Sequence, residues 1–160
     1  MKKFCTITRK ILNNSILSLC GFALILLVVT VTWQVFSRYI LNDPSSFTDE
    51  LSRYTMIWLG LLGASYLFGK NAHLAITLLP SHLPEKANTA LQIFIQILIL
   101  TFVVLAMIKG GSALVGRTMQ QLSPALQIPM AYIYMILPIS GVVTVIYVAL
   151  NMIDTVWKKK

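Results

Sequence analysis

The chain has 160 residues, of which 57% are hydrophobic and 11% charged, with a formal net charge of +8. A soluble domain usually carries about 25% Asp, Glu, Lys and Arg, so a water-soluble fold is a poor reading. The Lys and Arg residues fall at the chain ends and between apolar blocks, which points to membrane topology and away from nucleic acid as a partner. Cys5 lies in the basic N-terminal segment and Cys20 inside the first apolar block, so neither joins a disulfide framework outside the cell.

Lys2, Lys3, Arg9 and Lys10 precede an apolar run from Ile16 to about Phe36, an arrangement that imitates a signal peptide. That run is too long for an ordinary signal core and has no small-x-small site before a polar start, so it reads as an uncleaved helix. Spanning a hydrocarbon core of roughly 30 Å takes about 20 helical residues. Segments at about 16–39, 47–69, 88–115 and 129–157 meet that requirement. They are far too long for tilted barrel strands, and a bilayer core offers no water to unpaired backbone groups. The expected fold is therefore all-α integral membrane, a single domain over residues 1–160 with four transmembrane helices.

Two shorter stretches are expected at the membrane surface. In segment 1–14, Phe4, Ile7, Ile11 and Leu12 recur at helical spacing opposite Lys3, Arg9, Lys10 and Asn13. This is the pattern of a short basic interfacial helix on anionic lipids; a disordered basic tail is the alternative. The stretch His73 to Pro80 is apolar but too short to span, and Pro80 and Pro84 end it. With the N-terminus inside, nine Lys and Arg residues fall on the cytoplasmic side and four, Arg38, Arg53, Lys109 and Arg117, on the outer side. That count favours both termini in the cytoplasm.

The densest polar cluster runs from Arg38 to Arg53. Pro44 breaks the chain, Ser46 can cap the next helix with Asp49 at the capping-box position, and Asp49 and Glu50 suit the positive end of the helix dipole. Arg53 can pair with Asp49 or Glu50 on one helix face, and Arg38 can complete a four-charge network across the turn. A cluster of this kind serves topology and packing, or a contact with another subunit. The same helix carries Trp58 and then Gly60, Gly63, Ala64 and Ser65, whose small side chains permit close approach of a second helix. Gln92 and Gln96, one turn apart, can bond across helices or else face a lipid headgroup or each other, and Lys109 can snorkel outward. Pro138 predicts a kink near Pro138 to Gly141. His73 and His82 do not converge with other ligands on a metal or haem. No phosphate loop, nucleophile–base pair or mid-helix carboxylate pair is present, so neither catalysis nor substrate or metal binding is assigned to any residue.

The stretch Gln34 to Ser65, Q-V-F-S-R-Y-I-L-N-D-P-S-S-F-T-D-E-L-S-R-Y-T-M-I-W-L-G-L-L-G-A-S, followed by His73, resembles the small membrane subunit (Q-type, DctQ-like) of the tripartite ATP-independent periplasmic (TRAP) transporters. The family pattern falls on Arg38, Tyr39, Asp49, Glu50, Arg53, Trp58, Gly63 and Ala64, with Phe47 where members often have Trp. A second similar stretch is L-S-P-A-L-Q-I-P-M-A-Y, with Leu137-Pro138 after it. The resemblance implies secondary transport of an organic acid driven by an ion gradient, usually sodium, in a bacterial inner membrane. It implies a large elevator-type membrane subunit that holds the substrate and sodium sites, a periplasmic substrate-binding protein, and a scaffolding role among the lipids for a chain like this one. No cofactor is expected here. The overall run looks most like sialic-acid systems, with C4-dicarboxylate systems next.

Two other classes compete. A self-sufficient four-helix exporter needs a membrane-embedded acid for proton coupling, and the first helix has none. A membrane anchor of a respiratory complex needs histidines facing a bundle interior, and both histidines fall in a loop segment.

Overall fold

A computed structural model describes the backbone of residues 2–70 and 85–157, and the side chains of residues 6–70 and 90–153. The stretch from His73 to Pro84, with both histidines, and the three terminal lysines lie outside the described residues. Helix α1 is Lys2–Tyr39 and α2 is Ser46–Gly69. Next come α3, Glu85–Phe102, a π-helical segment, Val103–Gly110, and α4, Gly111–Arg117, which follow one another without a break. The chain ends in α5, Met130–Tyr134, and α6, Ile136–Trp157. Among the described residues, the β structure is one isolated antiparallel bridge between Leu122 and Pro129.

Among the described residues, three stretches are long and apolar enough to cross a membrane: Thr6–Tyr39, Ala90–Arg117 and Met130–Ile153. The remaining expected span, α2, has 24 residues, but polar and charged side chains fill its first turns. Helix α1 also differs from expectation. Its 38 residues form one helix, so the basic stretch expected as a separate interfacial element is continuous in backbone with the first long helix from Lys2 onward. Asn13, Asn14 and Ser15 are weak helix formers, but without Gly or Pro they do not stop it.

Helix α2 packs along α1 and α6, and the π segment packs on α6 from another direction. At that crossing, a Cβ on Gly141 would come within 2.9 Å of Ile108 Cγ1, so only glycine allows the observed approach. The core where α1, α2 and α6 meet contains Ile16, Leu62, Ile136 and Tyr147. Many other apolar side chains, such as Phe22, Ile25, Phe94 and Phe102, are exposed.

Down one face of α6 runs a set of buried polar side chains: Ser140, Thr144, Tyr147 and Asn151. Spacings of four, three and four keep them on one stripe. Ser65 of α2 donates to the Ser140 carbonyl at 3.1 Å and accepts from Thr144 Oγ1 at 3.0 Å. Tyr147 donates to Asn13 Oδ1 at 2.6 Å. Asn151 donates to the Phe68 carbonyl at 2.9 Å and accepts from Arg9 Nη2 at 2.8 Å. A polar group buried among apolar side chains is costly unless bonded, so these bonds select one register of the three helices. Tyr147→Phe is expected to lower stability by about 1 kcal/mol in detergent unfolding, and adding Asn13→Ala should cost little more. Additive losses would show that the two groups act separately.

The kink expected at Pro138 to Gly141 lies earlier. Helix α5 ends at Tyr134 and α6 begins at Ile136, with Met135 as the joint. Proline has no N–H for the carbonyl four residues before it and its ring crowds that carbonyl, so the break falls on the N-terminal side, at Tyr134. Trp58 Nε1 donates to the Ile133 carbonyl in this interrupted turn at 3.2 Å. The expected cross-helix bond at Gln96 is not made by its carbonyl: Gln96 Oε1 is buried without a donor among the described residues.

Candidate functional site

The α1–α2 turn forms one edge of a polar cleft. Asn42, with φ 51°, ends the helical path of α1, and the Asp43 N–H returns to the Ser37 carbonyl at 3.1 Å. Asparagine is among the few residues that accept this left-handed conformation readily. The cap of α2 is Ser45, one residue before the expected Ser46: Ser45 is extended, with φ −76° and ψ 99°, and its side chain accepts from the Thr48 N–H at 3.5 Å. Ser46 is already helical, because the extended backbone that an N-cap requires falls directly after Pro44. The capping-box position therefore belongs to Thr48, and Asp49 is free for other partners.

Asp49 uses both oxygens. Oδ1 accepts from Gln34 Nε2 of α1 at 2.7 Å, and Oδ2 pairs with Arg53 Nη2 at 2.8 Å. The pair with Arg53 lies largely in the open and contributes a few tenths of a kcal/mol. The bond to Gln34 ties α1 to α2.

Glu50 turns the other way. It is 8% exposed, and its Oε2 accepts from the backbone N–H groups of Ala125 at 2.8 Å and Leu126 at 2.7 Å. Its Oε1 accepts a hydrogen bond from the Tyr54 hydroxyl, which also lies 3.4 Å from Met130 Sδ. The loop that supplies the amides is closed on itself. Ser123 N–H bonds the Ile128 carbonyl at 2.9 Å, Met130 N–H bonds the Gln121 carbonyl at 2.8 Å, and Gln127 takes φ 53°. Two adjacent amides converging on a carboxylate form a small anion cradle, and here Glu50 fills it.

The four-charge network expected from the sequence is thus divided. Arg53 pairs with Asp49, Glu50 is held by backbone and Tyr54, and Arg38 is exposed with neither a hydrogen bond nor an ion pair among the described residues. Arg38 and Gln34, with Asp49 and Arg53 opposite, line a cleft of about 500 Å³ whose apolar lining includes Ile57, Met130 and Ile133.

The remaining sequence candidates on α2 separate by face. Trp58 faces the α5–α6 joint, whereas Ser65 and Gly69 are buried against α6. Gly60 and Ala64 are exposed and Gly63 half-buried, and a Cβ added at Gly60 or Gly63 would meet none of the described residues within 4 Å. The small-residue motif therefore serves two faces, one filled within the chain and one open. The sequence pattern by itself does not single out Gln34, Tyr54 or the Ala125–Leu126 amides. Gln34 has a readable signal, a polar side chain one turn before Arg38; the amides have only the turn chemistry of Ser123-Pro124.

The family model described as "Tripartite ATP-independent periplasmic transporters, DctQ component" matches residues 27–157. This chain belongs to that DctQ family. A Vibrio cholerae protein named sialic acid TRAP transporter small permease protein SiaQ is 31% identical over 102 residues, covering 64% of this chain and 59% of that protein. A Haemophilus influenzae protein named putative TRAP transporter small permease protein is 28% identical over 146 residues, covering 91% of this chain and 90% of that protein. A 66-residue stretch is also 30% identical to a sialic acid TRAP transporter permease protein, SiaT, of Haemophilus influenzae, of which it covers 11%. As a DctQ-family chain it shares the expected all-helical membrane character, and its matched region contains the whole polar cleft.

Proposed function

We propose that this DctQ-family chain is the small accessory subunit of a TRAP secondary transporter, crossing a bacterial inner membrane with four helices and both termini on the cytoplasmic side. Its part is to hold still a larger elevator-type subunit that carries the substrate and sodium sites. A periplasmic binding protein delivers an organic acid to that subunit, with sialic acid first and a C4-dicarboxylate second. The names of the two sialic-acid relatives support that order of substrates.

The observation that carries the reading is the open face of α2. Met56, Gly60 and Ala64 are exposed and four residues apart, and among the described residues nothing lies within 4 Å of a Cβ built at Gly60. Membrane helices associate through flat, small-residue faces of this kind, since lipid supplies no hydrophobic drive between them. The acids also fit a scaffold: none of the five, Asp43, Asp49, Glu50, Glu85 and Asp154, falls in the middle of an apolar run, where an ion pathway would use it.

Gly60→Leu tests this reading. Co-expressed with a TRAP large subunit, this variant is expected to recover roughly tenfold less of it on affinity purification, about 1.4 kcal/mol of association. The yield and unfolding of the chain itself should change little, because Gly60 is exposed and a Cβ there meets none of the described residues within 4 Å. Sialic-acid uptake into sodium-driven vesicles should require both membrane chains and the binding protein. Transport by this chain alone would refute the scaffold role.

A further inference from the structure

The polar cleft contains four charged side chains, and three of them are satisfied. Asp49 is held by Gln34 and Arg53, and Glu50 by Tyr54 and two amides. Arg38 is the fourth, and it has no hydrogen bond or ion pair among the described residues. It sits in the last turn of α1, where the helix dipole favours a cation but does not require a cleft in front of it.

Outside the cleft, the exposed neighbours of Arg38 are largely apolar. Tyr39, Ile40, Leu41 and Phe47 are all more than half exposed, a composition suited to lipid or an embedded partner and unsuited to water. The end of α1 is also uneven. The polar cleft opens on one side of it, and a second, apolar concavity of about 430 Å³, bounded by Val31, Val35, Phe36 and Ile40, opens on the other. Fluid acyl chains lie as readily on a smooth helix, whereas fixed side chains of a packed helix need holes to enter.

We infer that the end of α1 is a docking surface for a helix of the large membrane subunit, and that Arg38 receives a carboxylate side chain from it in the polar cleft. This rests on the subunit reading above. The guanidinium fork takes a carboxylate through two parallel hydrogen bonds, while neighbouring apolar side chains of the incoming helix enter the second concavity. Charge complementarity carries the assignment: Asp49 and Glu50, the two carboxylates lining the cleft, are engaged elsewhere, and nearby Asp43 makes no ion pair with Arg38 among the described residues, so Arg38 is open to a carboxylate from another chain.

The test uses the two-chain complex in its own membranes and a water-soluble carbodiimide, which joins an amine to a carboxylate and leaves guanidinium unreacted. Arg38→Lys is expected to give a product with the summed mass of both chains, absent from the native complex. Its junction peptide should join position 38 to an Asp or Glu of the large subunit. Arg38→Glu, which sets like charges together, is expected to reduce recovery of the large subunit roughly tenfold. A stable Arg38→Lys complex without a cross-chain product overturns the inference, as does a product joined only to Asp43 or Asp49 of the same chain. So does a phospholipid retained by the native complex and lost in Arg38→Ala, which would assign the cleft to a lipid phosphate. Failure of the unaltered chains to co-purify would instead remove the subunit reading itself.

Discussion

Gly69→Ala is expected to lower the stability of the chain by about 3 kcal/mol, the upper range for forcing extra volume into a packed interior. A Cβ at this position would lie 2.4 Å from Tyr147 Cε1, 2.5 Å from Cδ1 and 2.7 Å from Cζ. The ring cannot simply rotate away. Tyr147 is 0% exposed, and its hydroxyl is anchored on Asn13 at 2.6 Å. Moving it would disturb α1, α2 and α6 together, including the adjacent bond from Asn151 to the Phe68 carbonyl. Unfolding in detergent, followed by near-ultraviolet circular dichroism, measures the effect. Gly60→Ala is the control, and the large difference expected between two Gly→Ala changes on one helix is the informative result. Equal stabilities would mean that the α2–α6 contact relaxes at little cost.

Glu50→Ala is expected to cost a similar amount, about 3 kcal/mol, because it removes the carboxylate that accepts from three donors. The Ala125 and Leu126 amides and the Tyr54 hydroxyl all lose their bond to the carboxylate. Glu50→Gln keeps an acceptor oxygen and gives up the charge, so about 1 kcal/mol is expected from it. Amide hydrogen exchange separates a local effect from a global one. Ala125 and Leu126 should exchange much faster in Glu50→Ala, while the amides in the middle of α6 keep their protection. Unchanged exchange at both positions would show that the loop is held by its own bonds, from Ser123 to Ile128 and from Met130 to Gln121.

The candidate site was legible in composition and not in partnership. Asp49, Glu50 and Arg53 stand out as charges in an apolar chain, and the pairing of Arg53 with Asp49 follows from a spacing of four on a helix. The fate of Glu50 does not follow from spacing, because the groups that bind it are backbone amides 75 and 76 residues away. Amides have no residue-type signature, so a closed loop can offer them with any side chains in place. The polar stripe of α6 escaped for a related reason. Ser, Thr, Tyr and Asn each have an ordinary role in a membrane helix, bonding their own backbone or facing headgroups, and only the packing of α1 and α2 shows that these four are buried and joined.

Along the chain, the sequence determined what depends on one helix at a time. Long apolar runs, the turn at Pro44 and the collection of charges near helix ends are local consequences of hydropathy and backbone chemistry, and the structure agrees with them. Tertiary structure decided what depends on which faces meet. It divided the small residues of α2 between a filled face at Ser65 and Gly69 and an open one at Gly60, and it separated Glu50 from Arg38. The physical reason is that in an apolar solvent hydrophobicity no longer distinguishes inside from outside. A glycine that fits against a tyrosine ring and a glycine that faces nothing read alike until the neighbouring helix is in place.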